Sequence, residues 1–460
     1  MRLSFLDREQ ELARLKRLFE SEGGALGVVY GRRRCGKSRL VQEALAGRDA
    51  VYSVGDDREG TLQRAGLARE IGRLVPGFDQ VTYPEWDALL SRWLRDAAPG
   101  SILALDEFPA LVSAARELPS LLQKVLDRRP DKPVKLLLCG SSQRMMQGLV
   151  LDRTAPLYGR AAEIIRLAAL PAGWIGTALG IRKPEEAVEA YAVWGGIPRY
   201  WELAADHRHL GPAIRALVLS PLGVLHEEPA RLLLDDLRDL TQAASILALI
   251  GQGCHRPSEI AGRLGKPATS LSRPLQRLLE LGIVRREIPF ALSPRDSKRT
   301  LYRIADPYLR FWFRFVEPNR SRLEAGQTDD VMASIEQRFP HHAGQVWEDL
   351  ARESVPRLPG GKRSWKPASR WWGGGLNRRP LEFDIVAQSD DGKDLLLGEV
   401  TWAERTNVGR LVSDLQEKAA NFPLAGRRKI RFGLWLKKRP RTIPPGVEVF
   451  TPQQVLRALR

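Results

Sequence analysis

Apolar residues follow different rhythms in different parts of this chain. Between residue 25 and about residue 165 they come in short unbroken runs: Leu26-Gly27-Val28-Val29-Tyr30, Ile102-Leu103-Ala104-Leu105 and Leu136-Leu137-Leu138-Cys139. Unbroken runs of this length predict strands buried on both faces, with helices in the stretches between them. Strand and helix in alternation predict a parallel sheet covered on both sides. Ahead of it, residues 8–21 place Leu12, Leu15, Leu18 and Phe19 on one side of an amphipathic helix.

The strand signal then stops. Residues 171–235 read as short helices, broken at a corner formed by Trp194-Gly195-Gly196-Ile197-Pro198-Arg199-Tyr200. Residues 238–304 predict a helix over 241–250, a second over 256–264 ended by Gly265, and a third opening at 268–273 with Leu271, Leu275 and Leu278 on one face. Two strands follow, near 281–287 and 300–304. Three helices and a hairpin are the pattern of a winged helix-turn-helix, whose third helix would offer Ser270, Ser272, Arg273 and Arg277 to DNA. Such modules also bind proteins. Asp306 to Phe315 is aromatic at every second or third residue and predicts a buried helix. The last segment starts near 335 with a helix through Gln345–Leu350, then strands at 381–386, 394–400 and 430–436. The expected boundaries are 1–165, 166–236, 237–305, 306–335 and 336–460.

One turn in the first segment carries chemistry. Gly31-Arg32-Arg33-Arg34-Cys35-Gly36-Lys37-Ser38 has the spacing G-x-x-x-x-G-K-S, follows the first strand, and precedes a helix opening at Arg39. Glycines let backbone N–H groups close around phosphate oxygens, and the helix N-terminus adds partial positive charge. Residues 31–39 are therefore expected to hold ATP, with Lys37 on the β- and γ-phosphates and Ser38 on Mg²⁺. The second run ends in Asp106-Glu107. Asp106 is the expected partner of Ser38 at Mg²⁺, and Glu107 the group that polarises the attacking water. The third run ends in Ser141-Ser142; a hydroxyl there, with Ser142 the candidate, could contact the γ-phosphate or the attacking water, or the pair is simply a turn capping the next helix. Arg160, in Pro156-Leu157-Tyr158-Gly159-Arg160, is a candidate arginine finger or γ-phosphate sensor.

The last segment offers a second acidic group. Glu348 on a helix, with Asp384 and Glu399 on neighbouring strands, could share a second Mg²⁺ for phosphodiester hydrolysis. A nuclease of this kind uses Asp, a gap, then Glu-x-Lys. Here the triplet is Glu399-Val400-Thr401, so the lysine is missing and Lys418 is the available substitute. A neutral threonine cannot stabilise developing negative charge, so this segment is expected to be weak or silent as a nuclease.

Charge points to a polyanionic partner. Lys and Arg total 72 against 55 Asp and Glu, a net charge of +17 in 460 residues. Residues 336–460 alone hold 23 basic and 14 acidic side chains. Within them, 362–379 and 427–441 carry no acid, which suits a phosphate backbone. DNA is the expected partner, and self-association into a homo-oligomer is compatible with the pattern. Three scattered cysteines, Cys35, Cys139 and Cys254, make neither a disulfide framework nor a metal site. No apolar run approaches the ~20 residues that span a bilayer, and the expectation is a cytoplasmic protein.

Together, Phe5-Leu6-Asp7-Arg8-Glu9, the phosphate loop, Leu105-Asp106-Glu107-Phe108, Pro156–Arg160 and Gly195-Gly196-Ile197-Pro198-Arg199-Tyr200 resemble the archaeal and bacterial P-loop ATPase family, a branch of the signal-transduction (STAND) ATPases related to AAA+ proteins. Tyr302–Trp312 resembles the entry to that family's C-terminal domain, which is similar to PD-(D/E)xK nucleases. The resemblance implies an α/β chain: a P-loop NTPase domain with a parallel sheet, a helical lid, a winged helix-turn-helix and a small restriction-endonuclease-like domain. It also implies that Pro198 lies near the nucleotide. Two functions fit: an ATPase whose nucleotide state controls DNA engagement, or an ATP-driven switch whose winged helix binds proteins.

Overall fold

The computed structural model describes residues 3–127, 133–237, 239–293, 299–358 and 364–460. The chain divides into two compact units, one of Phe5–Ala169 with Leu234–Asp236, the other of Met1–Ser4, Leu170–Leu233 and Leu237–Arg460.

The first unit is built on five parallel strands: β1 (Ala25–Tyr30), β2 (Ala50–Val54), β3 (Ile102–Asp106), β4 (Lys135–Gly140) and β5 (Ala161–Arg166), in the order β2-β3-β4-β1-β5. The three central strands are buried at every position. Their alternation divides the core in two. Val28, Leu103, Leu105, Leu136 and Leu138 pack with Trp86, Leu90 and Trp93 on one side. Val29, Ala104, Leu137 and Cys139 pack with Leu15, Leu18, Phe19, Leu40 and Val41 on the other. The edge strands β2 and β5 are only partly buried, which is why their sequences show no unbroken apolar run. Lys135 starts β4 almost fully buried. Its ammonium donates to Ser21 O, Ser21 Oγ and Gly23 O at 2.6, 2.7 and 2.7 Å, fastening the turn before β1 to β4.

In the second unit, helices Leu240–Gly251, Pro257–Leu264 and Ser272–Glu280 precede an antiparallel pair, β6 (Val284–Glu287) and β7 (Leu301–Ile304). Because the third helix begins at Ser272, Pro274 falls in its first turn, where the missing N–H costs nothing. The aromatic stretch is a buried helix over Pro307–Phe311, continued by π-helical turns over Trp312–Val316. A long helix, Thr328–Ser354, leads into a five-stranded mixed sheet: β8 (Ser369–Gly374), β9 (Pro380–Gln388), β10 (Asp394–Thr401), β11 (Lys429–Leu436) and β12 (Val447–Phe450), in the order β12-β11-β10-β9-β8. β9 runs antiparallel to β8 and β10; β10, β11 and β12 run parallel. Helix Val408–Ala420 covers one face through Val412 and Leu415, against Phe383, Leu395, Leu397 and Leu434. On the long helix, Trp347 Nε1 donates to Trp435 O at 3.3 Å. Trp371 is buried on β8. Lys362 and Arg363, part of one expected basic stretch, lie outside the described residues.

Candidate nucleotide site

The loop expected to hold phosphate joins β1 to helix Lys37–Leu45. Its first residue must be glycine: a Cβ on Gly31 would lie 2.4 Å from Leu167 O, because Leu167 N donates to Tyr30 O as the chain leaves β5. Arg34 and Gly36 have φ of +68° and +91°, left-handed values that curl the loop so that its N–H groups can line a concave anion seat. Cys35 is buried against Arg32 O and Leu167 O, and burial raises its thiol pKa. Lys37 is also buried, and its ammonium donates to Arg32 O at 3.1 Å, its one hydrogen-bond partner among the described residues. An ammonium has three protons to give. A phosphate oxygen suits those that remain.

Asp106 closes β3 at 2 % exposure. Tyr52 OH donates to its Oδ2 at 2.6 Å and Glu107 N to its Oδ1 at 2.8 Å. Burial alone would raise its pKa, but hydrogen bonds from Cys139, Ser38, Tyr52 and Glu107 N hold it below the ordinary carboxylate value. Burial and Asp106 push both Tyr52 and Cys139 upward, so both stay protonated donors. Asp106 is therefore a buried anion surrounded by neutral donors, and no Lys or Arg forms an ion pair with it among the described residues. A buried charge of this kind is costly unless a cation compensates it. The set Ser38–Asp106, hydroxyl and carboxylate, fits Mg²⁺ by its oxygen chemistry.

Glu107 adopts φ +47° and ψ +44°, a strained conformation for a residue with a side chain. Its carboxylate accepts from Ser141 N at 3.2 Å and from Ser141 Oγ. Ser142 instead caps helix Gln143–Met146, accepting from Met145 N at 3.3 Å and donating to Asp236 at 3.1 Å. Arg160 makes a two-pronged pair with Asp127, both contacts at 2.9 Å, and none of its hydrogen bonds reaches the loop. Arg39 lies over the Phe5 ring at 5.7 Å. Pro198 opens helix Pro198–Ala204 in the other compact unit.

The second acidic group is partly gathered. Val400 N donates to Asp384 Oδ2 at 3.0 Å, and Lys418 Nζ lies 2.7 Å from Glu399 Oε1. Glu348 Oε2 is 3.7 Å from Arg352, which also donates to Asp384 O at 3.0 Å. Burial and the charge of Asp384 push both Glu348 and Glu399 up to about 7. No cluster of three or more His, Cys, Asp or Glu able to hold a metal ion is formed among the described residues. These carboxylates thus feel one another without forming a ready ligand cage.

A family model for an ATPase domain predominantly from Archaea matches residues 5–203. The chain carries this archaeal-type ATPase domain. A second model, described as archaeal and bacterial proteins of unknown function, matches residues 312–414. An uncharacterized protein of Methanocaldococcus jannaschii is 28% identical over 432 residues, covering 90% of this chain and 92% of its own. Among solved structures, the Walker-type ATPase of Pyrococcus abyssi aligns with TM-score 0.52 at 20% identity, over 67% of this chain and 96% of that one. It shares the P-loop ATPase fold. The ORC2 protein of Aeropyrum pernix, in complexes with ADPNP and ADP, aligns with TM-score 0.45 at 15% identity, over 73% of this chain and 97% of that one.

Three residues beside the ATPase domain's phosphate loop carry no motif: Tyr52 and Cys139 against Asp106, and Ser141 against Glu107. Only the strand order reveals them, since β2 and β4 flank β3. The acidic group at the other end of the chain has a measurable consequence. Between pH 4.5 and about 7 the folded chain keeps protons on Glu348 and Glu399 that an unfolded chain has released. Their contribution to stability is full below pH 4.5 and lost as pH rises to about 7. Glu348→Gln should flatten that decline by on the order of 1–3 kcal/mol, read from denaturation midpoints at pH 5 and pH 8. Equal declines in variant and wild type would show that Glu348 is not held protonated.

Proposed function

We propose that this chain hydrolyses ATP at the loop of residues 31–39 and that its nucleotide state controls engagement of DNA. The observation that carries the reading is Asp106, a buried anion without a cationic partner among the described residues, hydrogen-bonded by Ser38 of the loop. Backbone N–H groups of the loop and Lys37 would hold the β- and γ-phosphates. Ser38 and Asp106 would hold Mg²⁺, which when bound draws charge from the phosphate oxygens. Glu107, at a left-handed backbone position and tethered by Ser141, would orient the attacking water and accept its proton. Arg160 would act as a finger only after leaving Asp127.

The three helices and hairpin over 240–304 support a winged-helix reading. Arg263, Lys266 and Arg273 are exposed there and have no carboxylate partner among the described residues. In the basic stretch 427–441, Arg431, Lys437 and Lys438 are already paired with Asp394, Glu189 and Glu404, while Arg427 and Lys429 stand exposed. The C-terminal sheet is read as a nuclease-like module with weak or no cleavage: Thr401 offers no cation, and Lys418 is spent on Glu399.

Glu107→Gln should bind ATP as wild type does and turn it over about 100-fold or more slowly; unchanged turnover would remove Glu107 from its role. Duplex DNA should bind with log K falling by about 0.9 per phosphate contact as log salt rises. Replacing Arg263, Lys266 and Arg273 by Gln should make that slope shallower by about 3 without altering sequence preference. The same duplex, incubated with Mg²⁺, should be recovered uncut or barely nicked. No binding at low salt, or binding insensitive to salt, would move the reading to a protein-binding switch.

A further inference from the structure

The second compact unit contains a cavity of about 390 Å³ between the end of helix Leu240–Gly251, the aromatic helix and the long helix Thr328–Ser354. Its charged lining is of one sign. Arg303, Arg310, Arg314 and Arg338 face it with His255 and His341, and no lining residue is acidic. The charges are graded in depth: Arg338 and His341 are exposed, Arg314 is half-buried, and Arg310 is 7 % exposed.

Two of these arginines are balanced elsewhere, Arg303 by Glu287 at 2.9 Å and Arg310 by Asp349 at 2.7 Å. Among the described residues, Arg314 and Arg338 have no carboxylate partner. Arg314 donates to two neutral acceptors, Gln345 Oε1 at 2.9 Å and His341 Nδ1 at 3.0 Å. Arg338 reaches only Ser334 Oγ, at 3.4 Å. Both guanidinium groups lie 5.4 Å from the centre of the Phe315 ring. Burial, Arg338 and Arg310 lower the pKa of Arg314, in keeping with like charges crowded together. Arg310 adds a second, independent sign: its Nη1 is buried and has no hydrogen-bond partner among the described residues. A buried, unmatched guanidinium proton costs free energy that an anion would recover.

We propose that this cavity is a second anion site, taking a small phosphate-bearing molecule such as a nucleoside diphosphate. Multiple guanidinium groups around one recess match the several oxygens of a diphosphate, which Arg can bind in two-pronged fashion. The volume falls in the range of small-molecule sites. A recess with a buried arginine at its base suits a free anion better than a duplex backbone, which meets side chains at a surface. The proposal is independent of ATP hydrolysis, since it uses no residue of the phosphate loop.

Inorganic pyrophosphate is the probe, titrated calorimetrically into the full chain at constant ionic strength with EDTA present. Lys37→Ala weakens the phosphate loop, so binding that persists in this variant reports the cavity. Adding Arg338→Gln, at an exposed position, should weaken that remaining binding about tenfold, and Arg314→Gln by at least as much. Saturating duplex DNA should leave it unchanged. Absence of binding in Lys37→Ala, or binding indifferent to both arginine substitutions, overturns the site. Displacement by DNA overturns the small-molecule assignment and gives the recess to a nucleic-acid backbone.

Discussion

The nucleotide site turns on one buried charge. Asp106 ends a strand with almost no solvent to screen it and, among the described residues, no lysine or arginine paired with it. Three neutral side chains and one backbone N–H keep it ionised. Those donors come from the loop helix (Ser38), from β2 (Tyr52) and from β4 (Cys139), so the sheet order is what assembles them. With β4 between β1 and β3, the strand that leads into Ser141 stands beside the one that leads into Glu107. The same arrangement that ionises Asp106 thus tethers the neighbouring glutamate.

A second buried carboxylate shows the opposite solution. Asp349, in the other unit, is ringed by Arg285, Arg310 and Arg352, whose charges hold its pKa well below the ordinary value despite burial. Through it, β6, the aromatic helix and the long helix share one ion network. Removing one member of such a network strands a charge and is strongly destabilising. Asp349 is satisfied by protein alone and reads as structural. Asp106 is satisfied only by neutral donors and reads as a site. Arg310 stands in both categories, with one nitrogen on Asp349 and another unpartnered.

What was legible in the sequence follows from this distinction. The loop over 31–38 could be read directly because its residues are consecutive, and each has a local conformational reason to be there. Asp106 and Glu107 were legible because an apolar run ended in acids. Ser141-Ser142 was legible as a hydroxyl pair at a strand end, but the tether of Ser141 to Glu107 was not, and neither were Tyr52 and Cys139, because strand adjacency has no signature in spacing. β12 was missed: Val447–Phe450 is short, and charge interrupts its pattern. Burial of the aromatic helix was readable from its ring spacing. Its arginine cavity was not, since Arg338 and His341 arrive from a helix that begins at Thr328. The pair Lys418–Glu399 likewise depends on a helix folding back over β10.

The central claim is that the uncompensated charge of Asp106 is matched by a cation arriving with the nucleotide. It is tested by the melting temperature of the full chain with a non-hydrolysable ATP analogue, in Mg²⁺ and in EDTA, for wild type and Asp106→Asn. A ligand at 100 times its Kd contributes about 2.7 kcal/mol, so wild type should melt several degrees higher with analogue and Mg²⁺ than with analogue and EDTA. That Mg²⁺-dependent increment should vanish in Asp106→Asn. An absent increment in wild type, or a full increment in the asparagine variant, would contradict the account.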